Sequence, residues 1–146
     1  MRSNRLLALI LAGALTFSVA ACSSSDSAKA PTKTEFLKKA DAICKAGDEK
    51  VDKLSDEVDS TDAKAMNAFF VKASTESLAQ ITAVRALGFP KGDEAKLDKA
   101  LATFETAFKT VKEDPTKTEE VLTDNKALTT ATKTLGTYGL KECGSD

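Results

Sequence analysis

Apolar residues recur at helical spacing in four stretches of the chain, each bounded by polar turn signals. In the first, Phe36, Ala40, Ile43, Gly47, Val51, Leu54 and Val58 follow at steps of three and four, the period of one helix face. Thr32 stands just before it with Glu35 three residues on. That is the spacing at which a threonine hydroxyl caps the first turn and a glutamate reaches back to the cap amide. Gly47 weakens the segment by about 1 kcal/mol relative to alanine, and its place on the apolar face fits either a close helix crossing or a break in the helix. A turn and capping cluster, Asp59-Ser60-Thr61-Asp62, leads into the second stripe: Met66, Phe69, Phe70, Ala73, Ser77, Ile81, Val84 and Leu87. Gly88 and Pro90 stop it, since glycine tolerates the left-handed residue past a helix end and proline cannot continue the helix.

The third stripe is the most regular, with Leu97, Leu101, Phe104, Phe108 and Val111 at a strict 4-3-4-3 spacing. Its phenylalanines read as core bulk. Glu113-Asp114-Pro115 ends it, and Thr116-Lys117-Thr118-Glu119 repeats the capping-box spacing. In the fourth stretch Val121, Leu122, Leu128 and Leu135 keep the period, but Asn125 and Thr132 occupy stripe positions and further threonines lower helix propensity. Asn125 has two readings: a register-setting buried polar residue satisfied by a neighbouring helix, or, with Thr132 and Ser77, the polar lining of an internal pocket. Gly136 and Gly139 bracket Tyr138 and predict an exit from the helix. Four amphipathic helices joined by short turns predict an all-α fold, a four-helix up-down bundle.

Ahead of these stripes lies a different pattern. Arg2 and Arg5 precede a largely apolar run from Leu6 to Ala21, interrupted by Gly13, Thr16 and Ser18. At 16 residues it is short of the roughly 20 needed to cross a hydrocarbon core. A basic start, a short apolar segment and small residues before a cut site make a secretory signal. Val19-Ala20-Ala21-Cys22 resembles the lipobox of bacterial lipoproteins. That resemblance implies removal of residues 1–21 and a diacylglycerol on the sulfur of Cys22, hence attachment to the outer face of the cell membrane through the lipid. Residues 22–31, rich in serine and without an apolar period, then read as a flexible tether, and residues 32–146 as a single helical domain.

With Cys22 assigned to lipid, Cys44 and Cys143 remain, an even number in an oxidising compartment. They are expected to form one disulfide between helix one and the C-terminal tail. A redox role lacks support, because there is no Cys-x-x-Cys and no histidine to activate a thiolate.

Charge and composition close several function classes. Without Arg2 and Arg5 the chain carries 19 basic against 22 acidic side chains. A net of −3 with interleaved signs argues against nucleic acid, which requires a clustered basic surface. The absence of histidine excludes Ser-His-Asp and Cys-His catalysis, histidine zinc sites and the Glu-x-x-His pairs of di-iron bundles. Only Tyr138 could plausibly offer haem an axial ligand. No cofactor or metal is expected. Adjacent acidic pairs such as Asp48-Glu49 point in different directions on a helix and read as surface charge.

The lipobox, the early Ala40-Asp41-Ala42-Ile43-Cys44 and the terminal Leu135-Gly136-Thr137-Tyr138-Gly139-Leu140-Lys141-Glu142-Cys143 together resemble small helical, disulfide-containing lipoproteins of high-GC Gram-positive bacteria. The resemblance implies the helical fold and supports the cysteine pairing, and carries no catalytic residues. The expected function is non-catalytic: a membrane-anchored extracytoplasmic lipoprotein binding an envelope partner protein or a small apolar ligand. The alternative is a carboxylate-dependent cell-wall enzyme, in which two acidic side chains flank the scissile bond.

Overall fold

The computed structural model describes residues 29–123 and 125–144. The expected signal segment, Cys22 and most of the expected tether lie outside these residues. Within them the chain is helical throughout: α1 (Lys33–Asp56), α2 (Ala63–Ala86), α3 (Glu94–Glu113), a 3-10 turn at Pro115–Lys117, α4 (Thr118–Leu122) and α5 (Lys126–Tyr138).

Local chemistry sets the boundaries. The Thr32 capping box forms, with the Thr32 amide donating to Glu35 Oε2 at 3.0 Å and the Glu35 amide to Thr32 Oγ1 at 3.3 Å. Asp62 caps α2 by accepting from the amides of Lys64 and Ala65. Gly88 takes the left-handed conformation (φ 69°) just past the end of α2. Gly139 (φ 115°) does the same after α5, and the Leu140 amide reaches back to the Leu135 carbonyl at 3.1 Å. This is a Schellman stop, and it carries the helix through Tyr138, beyond the exit expected at Gly136.

The fourth predicted helix is two helices. Asn125 is the N-cap of α5, its Oδ1 accepting from the amides of Ala127 at 3.0 Å and Leu128 at 3.3 Å. A side chain committed to a cap neither sets register in a core nor lines a pocket. The capping box expected at Thr116 is also absent. Asp114 instead caps the 3-10 turn by accepting from the Thr116 amide and hydroxyl, and the Thr118 hydroxyl donates to the Pro115 carbonyl.

Helix α1 packs on α2, α2 on α3 and α3 on α5. Across the α1–α2 contact the pairs run in opposite senses. Lys50 bridges to Glu76 at 3.1 Å while Gly47 lies under Gln80. Tyr138 at the end of α5 donates to Asp93, just before α3, at 2.7 Å. The core gathers Phe36, Ala40, Ile81, Val84, Leu97, Leu101, Leu135 and Leu140. Phe36 sits at its centre with Phe89 and Tyr138 edge-on at 5.8 Å and 6.4 Å.

The tail joins α5 to α1. After Gly139 the chain turns back, buries Leu140 completely, donates the Glu142 amide to Asp41 Oδ1 at 3.0 Å and ends in the Cys44–Cys143 disulfide, with Cα atoms 5.2 Å apart. The return is tight: a Cβ on Gly144 would collide with the backbone of Gly136.

A charged cluster ties α2 to α3. Arg85 contacts Asp98 at 2.9 Å and also Glu105, and Glu105 receives Lys109 at 2.6 Å. The hydrogen bond from Lys109, then that from Arg85, hold the Glu105 carboxyl down at about 2 against an ordinary 4.5. A carboxyl with a lowered folded-state pKa stabilises the fold above its ordinary value and loses that contribution as pH falls through the folded one. Glu105→Gln should therefore cost about 1 kcal/mol at neutral pH, the scale of a partly exposed ion-pair network. In urea titrations the deficit should shrink between pH 4.5 and 2. An equal deficit at neutral and strongly acid pH would refute the electrostatic origin.

Candidate functional site

Helices α1, α2, α3 and α5 and the returning tail enclose a half-open cavity of about 350 Å³. Its interior is apolar, formed by Ile81, Val84, Leu101, Phe104, Phe108 and Leu135. The disulfide forms part of one wall, and Asp48, Ser77, Gln80 and Glu142 supply the polar groups. The helical period explains the gathering. Cys44 and Asp48 are one turn apart on α1, as are Ser77, Ile81 and, on the same side, Gln80 and Val84 of α2. Leu101, Phe104 and Phe108 repeat the spacing on α3, and the two rings stack with centroids 6.3 Å apart. Both phenylalanines are half-buried. They were expected as core bulk, and they stand at the core edge where it opens into the cavity.

Gly47 explains how Gln80 reaches the rim. The glutamine side chain fills the space a Cβ on Gly47 would occupy, so the glycine makes room for that side chain where α1, unbroken at Gly47, packs on α2. Gln80 hydrogen-bonds Asp48, which favours the carboxylate. Asp48 is exposed at the edge of the cavity; partial desolvation there still outweighs that bond, and the neighbouring charges of Asp52 and Glu142 act in the same direction, so the carboxyl is pushed above its usual range. No lysine or arginine lines the cavity.

Among the residues singled out from the sequence, Ser77 lines this cavity. Asn125 caps α5, and Thr132, half-buried on α5, is not among the lining residues. Cys44 and Cys143 are bonded to each other, and Cys22 lies outside the described residues. Asp48, read from the sequence as surface charge, is exposed and also stands in the cavity lining, whereas Gln80 and Glu142 escaped the sequence reading. The four-residue step from Cys44 to Asp48 was the available signal for Asp48, and the Gly47–Gln80 fit and the place of Glu142 emerge only in three dimensions.

Tyr138, the candidate axial ligand, is buried with its hydroxyl donating to Asp93 and its ring under Lys33 Nζ at 4.1 Å. Burial, reinforced by the bond to Asp93, raises its pKa well above the ordinary 10. Among the described residues no group of three His, Cys, Asp or Glu side chains could hold a metal ion, and no helix is long and apolar enough to cross a membrane. The arrangement can desolvate an apolar body and place acidic and amide groups at its exit. No family model, curated protein or solved structure matches this chain.

Proposed function

We propose that the chain is a lipid-anchored extracytoplasmic protein whose helical domain holds a small ligand with an apolar body. The observation that carries this reading is the half-open cavity: at about 350 Å³ it falls within the range of small-molecule sites, and it combines apolar walls with a few polar groups at one side. In this reading α1, α2, α3 and α5 serve as an up-down bundle, and the disulfide-tied tail supplies a further wall. The anchor rests on the lipobox resemblance of Val19-Ala20-Ala21-Cys22. Several acyl chains would hold the domain stably where one would not.

A second reading, a carboxylate-dependent cell-wall enzyme, draws on one observation: Asp48 and Glu142 share the cavity, and Asp48 is raised as a general acid would be. The lining favours the binding reading. A glycan presents hydroxyls all round, and beyond the two carboxyls the lining offers Ser77 and Gln80 as side-chain hydrogen-bonding groups beside six apolar side chains and the disulfide.

Native mass spectrometry of protein extracted from its own membrane should show the intact chain carrying a small molecule. Recovery without one, with no apolar compound raising its melting temperature, would overturn the ligand reading. Metabolic labelling with a fatty acid tests the anchor independently: label should enter the wild type and be lost in Cys22→Ala.

A further inference from the structure

Resting on the ligand reading above, we infer that the cavity selects a cationic amphiphile, an alkyl-like body carrying an ammonium group, with Asp48 receiving the charge. Two features of the site converge on this class. The interior offers an apolar body contacts to aliphatic side chains and to the stacked faces of Phe104 and Phe108. The charged groups in its lining, Asp48 and Glu142, are both acidic, with no basic side chain among them. A carboxylate-bearing ligand would add a like charge there, whereas an ammonium would meet opposite charge on entry.

The Asp48 carboxyl faces its neighbours at a cost. Asp52 stands one turn further along α1, Glu142 arrives on the tail, and both disfavour the Asp48 charge, which the Gln80 amide offsets in part. An ammonium group seated beside Asp48 would set a positive charge against the like charges of Asp52 and Glu142. Gln80 positions the carboxyl by its hydrogen bond, and Gly47 leaves room for Gln80 to do so. Specificity would thus arise at the rim, and most of the affinity from the apolar interior.

The test uses the full chain in zwitterionic nanodiscs, titrated calorimetrically with octylammonium, octanol and octanoate against empty discs. Octylammonium should bind about tenfold more tightly than octanol, the effect of one charge-assisted contact at a partly desolvated site. Octanoate should be weakest, and added salt should narrow the differences. In Asp48→Asn, which keeps the side-chain shape and experiences the same partitioning into the discs, octylammonium should fall to within about twofold of octanol. Equal binding of all three probes, a preference for octanoate, or a preference unchanged in Asp48→Asn would overturn the cationic class while leaving an apolar-ligand site intact. If no probe bound above the empty-disc blank, the ligand reading itself would fall, and this inference with it.

Discussion

Replacing both cysteines of the Cys44–Cys143 pair with serine is expected to lower unfolding free energy by about 3–5 kcal/mol. The bond closes a loop of 99 residues. In the chain-entropy description a cross-link over about 100 residues restricts the unfolded ensemble by about 4.7 kcal/mol, and removal of native bridges from small domains typically costs about 2–5 kcal/mol. The serine protein should lose its urea midpoint and show a steeper denaturant dependence, because an unbridged unfolded chain exposes more surface. Reductant should shift the wild type to the same curve and leave the variant unmoved. Coincident curves for oxidised and reduced wild type would mean that the tail contributes nothing to holding the helices together. Leu140, the Glu142–Asp41 hydrogen bond and the Gly136–Gly144 contact should loosen along with the bond, since the return of the tail to α1 ends there.

Phe36→Ala should cost about 3–5 kcal/mol, the usual range for truncating a buried phenylalanine. Its ring is fully buried and packs edge-on against Phe89 from the α2–α3 connection and Tyr138 from the end of α5. Two segments therefore lose their shared partner on α1 at once, and an edge-to-face pair contributes about 0.5–1.5 kcal/mol beyond its area. The cavity lining is formed by other residues, so the variant distinguishes stability from binding. Chemical denaturation should show the full loss, whereas Phe36→Leu, which retains much of the volume, should recover most of it. A loss below about 1 kcal/mol for alanine would mean that the centre of the core lies elsewhere.

Much of the fold was legible because its signals are local. A threonine followed three residues later by glutamate predicts a capped start, and Thr32 and Glu35 make both hydrogen bonds. Gly88 ends α2 in the left-handed conformation that glycine permits. The regular stripe on α3 buries Leu97, Leu101 and Val111 as its period requires. The fourth stretch misled because periodicity survives a break in the backbone. Leu128 and Leu135 keep step with the residues before them, and Asn125 suits a buried polar position as readily as a helix cap. The cavity was hidden for a different reason. Asp48 has the composition of a solvated helix face, and its surroundings come from Gln80 on another helix and from a tail placed by a bond between distant cysteines. Such a site is written in the meeting of segments, where no single window of sequence carries it.

The 99-residue separation of the bridged cysteines has a topological consequence. Nearly all of α1 beyond its first three turns, and all of α2, α3, α4 and α5, lie inside one covalent ring. A protease that cut the exposed connection between α1 and α2 would open the ring without releasing a fragment, and the two pieces would stay joined through sulfur. Traction on the N-terminal side would likewise reach Cys44 after unravelling only those first turns. There the bond would pass the load to Cys143, leaving the intervening helices slack.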